Sequence, residues 1–214
     1  MTWVLNNLDQ IRTLLAAHLL LCLPPIVVSL LAALPIGVLT ARRPGIGRFV
    51  RTASSTLYAV PALPLLIAIP LLFGFPLRST ATVITALSIY GVALMVGSTA
   101  DAFSSVDPMI RQAAVAVGYS RTALFWAVDL PLAGPVLLAG LRVVAVSTVS
   151  LVTIGALIGV SGLGTLLTDG FQRGILAEVL TGIAATVVVA VVIDGLLLAI
   201  GRLLMPWTLK DVAR

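Results

Sequence analysis

Long runs without a single charge constrain this chain before anything else does. Residues 19–39 contain no Asp, Glu, Lys or Arg, and 52–77 is a second such run. At about 1.5 Å per residue either is long enough to cross a bilayer core of about 30 Å as a helix. Three further stretches, 79–100, 134–158 and 179–201, carry only Arg142 and Asp194 between them. With 60% of its residues hydrophobic and 10% charged, the chain lies outside the range of soluble domains. The expectation is an all-α integral membrane protein, a single domain over 1–214, with five transmembrane helices at about 19–40, 53–76, 79–100, 134–158 and 179–201. Residues 1–17 read as a weakly amphipathic interfacial lead-in. They do not read as a cleaved signal, since the next apolar run is too long and is closed by Arg42-Arg43. Pro24, Pro25 and Pro35 predict kinks or a broken first turn in the first span. Val60-Pro61-Ala62-Leu63-Pro64 predicts a bend or break in the middle of the second.

The charges sit beside the ends of these runs. Arg42, Arg43, Arg48, Arg51, Arg111, Arg121, Arg202, Lys210 and Arg214 fall on one side of the predicted topology, and Arg12, Arg78 and Arg173 on the other. By the positive-inside rule the first group is cytoplasmic, which puts the amino terminus out and the carboxyl terminus in. The Gly-rich stretch 159–178, with Asp169 and Arg173, then reads as an outer loop. A net charge of +5 does not indicate nucleic acid here, because the basic residues are not clustered on a soluble face. Cys22 and His18 are the only residues of their kinds, so no intrachain disulfide is possible and a metal site is not expected. No G-x-x-x-x-G-K-[ST] motif occurs, and the one lysine is Lys210. No P-loop ATPase chemistry is expected of this chain.

One polar island, 107–142, interrupts the apolar pattern. Asp107-Pro108 reads as a helix N-cap followed by proline at the first helical position, where the missing N–H costs nothing. Gly118 fits the left-handed residue that ends such a helix, Ser120 can cap a second one, and Pro131 is expected to stop that second helix. The predicted result is an L-shaped, two-helix cytoplasmic loop over 107–131. Ala113, Ala114 and Ala116 permit close approach of another backbone, while Ile110, Leu124, Phe125 and Trp126 offer apolar anchors for a docking partner.

This island resembles the coupling loop of ABC-transporter importer permeases, whose pattern is Glu-Ala-Ala, three residues, Gly, nine residues, then Ile-x-Leu-Pro. Here Gln112-Ala113-Ala114, Gly118 and Val128-Asp129-Leu130-Pro131 keep the spacing, with Gln in place of the acid and Val in place of Ile. The resemblance implies a MetI-like importer permease fold and assigns ATPase coupling to Gln112, Ala113, Ala114, Gly118, Leu124, Phe125, Leu130 and Pro131. It extends from about Ala41 onward. Val60-Pro61-Ala62-Leu63-Pro64-Leu65-Leu66, Val106-Asp107-Pro108 and the run from Gly159 to Gly164 are similar to the branch serving osmoprotectants such as glycine betaine, carnitine, choline and proline. Gly97-Ser98-Thr99 departs from that branch, which has Arg-Asn-Thr.

The resemblance further implies a set of partners and a location. ABC ATPase subunits would bind the coupling loops and hold ATP and Mg, a second permease subunit would complete the pathway, and an extracytoplasmic substrate-binding protein would deliver the cargo. The place would be the bacterial inner, or cytoplasmic, membrane, with lipid around a multi-pass protein. No catalytic residue, cofactor or metal is expected in this chain. Pro61, Pro64, Tyr58 and Tyr90 are candidate pathway residues, because interrupted helices line transport routes. With only Tyr58, Phe73 and Tyr90 well placed among its few aromatics, cation–π capture of a quaternary ammonium group is expected to rest with the binding protein. Ordinary packing is the alternative for each of them, as it is for Phe73. A same-superfamily permease for another cargo, such as an amino acid, is the second reading.

Two further readings concern chemistry inside the membrane. Arg142 and Asp194 lie at matching depths, both about 12 Å inside the arginine-rich boundary, so they are candidates for an intramembrane charge pair, with Asp101 as the competing acid. Gly159-Val160-Ser161-Gly162 also matches the G-x-S-G of rhomboid-type intramembrane serine proteases. That chemistry needs a histidine base on a helix after the serine, and the only histidine, His18, comes before the first predicted span.

Overall fold

A computed structural model describes residues 2–209, so Lys210 and Arg214 of the charge count lie outside the described residues. After a short helix α1 (Thr2–Asn6), α2 (Leu8–Arg42) starts well before the expected first span and absorbs most of the predicted lead-in. It keeps going through Pro24, Pro25 and Pro35. Each proline leaves the carbonyl four residues before it, here Leu20, Leu21 and Leu31, without its helical N–H partner. The Ser29 hydroxyl back-bonds to the Pro25 carbonyl at 2.6 Å, a contact that favours a slight bend. His18, expected outside the span, is fully buried within α2.

Helix α3 (Pro44–Ala59) follows with only Arg43 between the two, so Arg48 and Arg51, expected in a short loop over 41–51 between the first two spans, stand on a helix. Val60 and Pro61 then break the chain, and α4 (Ala62–Phe73) leaves at 106° to α3. Pro61 forces an extended Val60, with φ −67 and ψ 126. Gly74 ends α4 in the left-handed region (φ +70), and α5 (Thr80–Ser104) begins where the Ser79 side chain accepts from the Thr82 N–H.

Whether the bent α3–α4 pair crosses or returns is decided by its neighbours. Gly37 of α2 lies against Thr99 of α5, and Ser29 against Gly91, at the same sequence offset of 62 residues. A constant offset means that α2 and α5 run parallel. Parallel neighbours on one sheet of lipid require the intervening chain to cross back, so α3–α4 is one broken span, and with it the apolar helices make up to five spans.

Beyond α6 (Pro108–Ala116) and α7 (Arg121–Leu124), the chain does not stop at Pro131 as expected. A π turn over Phe125–Asp129 joins α7 to α8 (Leu130–Val152), and the helical path runs unbroken from Arg121 to Ile158. Proline occupies the first turn of α8, where its missing N–H is tolerated. The π turn, with Leu130 N–H bonding to the Phe125 carbonyl five residues back, takes up the irregularity.

A 3₁₀ segment (Thr153–Ile158) and Gly159 (φ +83) lead into α9 (Leu163–Arg173), a helix where a Gly-rich loop was expected. Its glycines serve close packing. A Cβ on Gly164 would strike the Thr153 carbonyl, and one on Gly170 would meet the backbone of Val179 at 2.9 Å. Helix α10 (Leu176–Leu204) closes the bundle, antiparallel to α8, and a 3₁₀ turn (Pro206–Leu209) follows. No strand occurs among the described residues. The core falls into two clusters. One gathers Leu21, Leu66, Leu87, Val149, Leu163 and Leu166, and the other, at the arginine-rich end, gathers Met95, Val96, Phe103, Val106 and Leu137.

Candidate functional site: a helix outside the bundle and a broken span

Helix α6 is built by local signals. The Asp107 carboxylate accepts from the Met109 N–H at 2.7 Å, Pro108 takes the first helical position, and Gly118 turns the chain at φ +92. Tyr119 N–H reaches back to the Ala114 carbonyl at 3.1 Å, and the Ser120 hydroxyl accepts from Ala123 N–H at 3.2 Å to start α7. Ala114 is the buried residue of α6. Gln112 and Ala113 are exposed, as are Met109, Ile110, Val115 and Val117. The helix therefore presents an apolar, small-residue face that none of the described residues covers. Gly118 is exposed too, and a Cβ there would meet no atom within 4 Å.

From Leu124 to Pro131 most side chains face the other way. Phe125 stacks on Phe103 with centroids 5.8 Å apart and meets the edge of Trp126 at 5.1 Å. Leu124 lines a cavity of about 340 Å³ with Val38, Phe103, Arg111 and Asp129. Leu130 and Pro131 line a separate apolar groove between α2, α8 and α10. Only Trp126 of the large π-turn side chains points outward. The structure also supplies residues that sequence reasoning passed over. Arg111 Nε donates to Asp129 Oδ1 at 2.6 Å, and its Nη2 donates to the Phe103 carbonyl at 2.6 Å. An acid placed just before Leu130-Pro131 in an otherwise apolar run was the available signal.

The broken span carries a second feature. Helix α3 exposes Arg48, Arg51, Thr52, Ser55 and Tyr58 at three- and four-residue spacing, a polar row on a helix of a very apolar protein. Arg51, Thr52, Ser55 and Tyr58 line a cavity of about 410 Å³ together with Ala93 and Gly97 of α5. Tyr58 and Tyr90 come together with ring centroids 4.9 Å apart and planes inclined at 40°. Pro61 and Pro64 are exposed at the break and do not line that cavity. Phe73 stacks on Phe75 at 5.9 Å, away from both tyrosines.

Arg142 and Asp194 meet in a two-pronged contact, Nε to Oδ1 and Nη2 to Oδ2, each at 2.6 Å. Asp101 instead faces Arg51 at 3.4 Å. His18 does lie beside the G-x-S-G segment, but its Nδ1 accepts from the Leu163 N–H at 3.3 Å and thereby caps α9, while Ser161 is exposed.

These features have a known setting. The family model for the binding-protein-dependent transport system inner membrane component matches residues 33–210. The chain belongs to that family. Its members are membrane transport subunits and not enzymes. Among curated relatives of this inner membrane component is the osmoprotectant import permease protein OsmW of Salmonella typhimurium, 28% identical over 95% of this chain and 96% of that one. The choline transport system permease protein OpuBD of Bacillus subtilis is 27% identical over 96% and 90%. The carnitine transport permease protein OpuCD of Listeria monocytogenes is 27% identical over 88% and 84%. In fold, this family member is similar to a chain of the MetNI methionine ABC transporter in an inward-facing conformation, with a TM-score of 0.79 at 19% identity over 91% of this chain and 95% of that chain. The expected MetI-like, all-helical, multi-pass architecture is thereby shown.

Proposed function

We propose that this permease forms half of the translocation pathway of an ATP-driven importer for a small osmoprotectant, of the glycine betaine, choline, carnitine or proline class, and that α6 is where a separate ABC ATPase engages it. The observation that carries the reading is the face of α6. Gln112, Ala113, Met109, Ile110 and Val115 stand uncovered on a helix held outside the bundle, and exposed apolar surface beside small residues fits a protein groove. The names of the similar permeases support the cargo class. ATP and Mg belong to the ATPase partner. A second permease subunit faces the polar row of α3, and a substrate-binding protein delivers cargo at the end opposite the arginines. Within the pathway, the Tyr58–Tyr90 pair and the break at Pro61–Pro64 are the candidate lining. The arginine-rich end is cytoplasmic, which leaves the amino terminus out and the carboxyl terminus in.

The test is uptake in a bacterial host stripped of its own osmoprotectant importers and supplied with this chain, its ATPase and its binding protein. Labelled glycine betaine, choline, carnitine or proline should accumulate, and Gly118→Asp should abolish accumulation while leaving the protein inserted. Accumulation of methionine alone would move the cargo to another branch. Failure of the ATPase to co-purify would sink the docking assignment. Cysteines at Gly45 and Ser120 should be labelled from the cytoplasm only, and one at Asp169 from outside only.

A further inference from the structure

We propose that Arg111 is the positioning residue through which movement of α6 reaches the membrane helices. This rests on the reading that an ATPase engages α6, and it names the part that passes the movement on.

The physical case begins with how weakly α6 is held by apolar contact. Of its side chains only Ala114 is buried, while Met109, Ile110 and Val115 are exposed. A cavity of about 340 Å³ lies between α6, α7 and the ends of α2 and α5, so this is not a close-packed joint that transmits displacement by contact alone. Arg111 spans that gap. Its guanidinium bonds at 2.6 Å to the Phe103 carbonyl, in the last turn of α5, and at 2.6 Å to Asp129, in the π turn that opens the long helical path toward Ile158. The Phe103 carbonyl is among those an α-helix leaves unsatisfied at its end, and a cation there also complements the helix dipole. The Asp129 side chain is only 4% exposed, so its bond to Arg111 is held out of water, where charge-assisted bonds are short and directional.

One side chain thus grips two spans at once. The guanidinium is planar and its donors are fixed relative to one another, so a shift of α6 displaces Phe103 and Asp129 together. Val106 anchors the linker before α6 in the core, but it leaves the helix itself free to pivot. Arg111 removes that freedom. The side chain points into the bundle, away from the exposed face on which Gln112 and Ala113 stand, so its loss changes transmission and leaves docking intact.

The experiment uses the whole transporter in proteoliposomes, with this chain, its ATPase and its binding protein, and measures ATP hydrolysed and cargo imported in the same vesicles. Arg111→Ala should assemble with the ATPase and hydrolyse ATP at an undiminished rate, with import down about tenfold, so that ATP consumed per molecule imported rises by the same factor. Arg111→Lys, which keeps the charge and can reach one of the two partners, should fall between the two. Asp129→Asn, which keeps an acceptor for the guanidinium, should lose less than Arg111→Ala. Hydrolysis and import falling in proportion, or neither changing, would overturn the proposal. So would failure of all three variants to assemble, which would make Arg111 a folding residue. If the unaltered chain does not bind the ATPase, it is the docking assignment that has failed, and the hydrolysis-to-import ratio is not the measurement that fails.

Discussion

At the arginine-rich end of the bundle, helices far apart in sequence are joined by ion pairs: Arg51 with Asp101, Arg111 with Asp129 and Arg142 with Asp194. Although glycines also pack tightly at this end, Gly37 on Thr99 and Gly140 on Ser98, at the opposite end glycine packing does the joining without a close ion pair. Gly164 sits against the Thr153 carbonyl, Gly170 against Val179, and Gly182 against Leu166 and Leu167. The charged contact at that end is loose, with Arg173 and Glu178 3.8 Å apart and neither Glu178 oxygen hydrogen-bonded. Backbone-distance packing admits one arrangement, because any displacement meets hard atoms. Ion pairs fix partners, so that the elements they join move together. The arginine-rich end therefore adds fixed pairing to close packing, while the other end relies on close packing alone.

The sharpest way to break this contrast is at Asp194. Asp194→Ala leaves Arg142 without its partner between two apolar helices, and the variant should lose most of its yield of folded protein in size-exclusion chromatography. The exchange of Arg142→Asp with Asp194→Arg should recover part of it; full yield of Asp194→Ala would mean that pairing holds nothing at this end. Next in size is Gly164→Val. The added carbons would have to push back the Thr153 backbone, so thermal unfolding in detergent should show a loss of about 3 kcal/mol.

Gly118→Ala separates the two uses of glycine. Gly118 needs φ +92 and has open space around it, so the cost should be about 1 kcal/mol from backbone strain alone. A larger loss would mean that the turn is packed. The smallest effects should come from the idle charges. Glu178→Gln should leave stability unchanged or raise it, since a fully buried carboxylate without hydrogen bonds repays little of its desolvation. Asp101→Ala, at an exposed pair, should stay within about 0.5 kcal/mol.

What could be read in the sequence was what local geometry decides. Asp107-Pro108, Gly118 and Ser120 each act within one turn of helix, and Val60-Pro61 breaks the second span by clash with its own neighbour, so spacing alone located them. The readings that failed were those in which packing overrode a local preference. Pro131 is a stop in isolation, yet a π turn before it lets the helix pass. The glycines of 159–178 look like a flexible loop, yet they are the small side of a helix pressed against Thr153 and Val179. Residues 1–17 carry Asp9 and Arg12 and so read as interfacial, but α2 starts within them because Leu14, His18 and Leu21 are buried. Matching depth placed Arg142 and Asp194 side by side in expectation, and the bond between them is an observed contact. For Arg111 the one cue was the acid at Asp129, and its second partner, the Phe103 carbonyl, left no mark in the sequence.

The π turn at Phe125–Asp129 has a consequence for length. It amounts to one residue more than a regular helix would use there, and each residue of a helix rotates its neighbours by about 100°. The direction in which α7 faces relative to α8 is thus set by a residue count and not by any side chain. Removing one residue between Phe125 and Asp129 would turn everything before it by about 100°, taking the grip of Arg111 with it while every apolar residue of α8 kept its place. Insertions and deletions there are a phase error, one that no substitution within the turn reproduces.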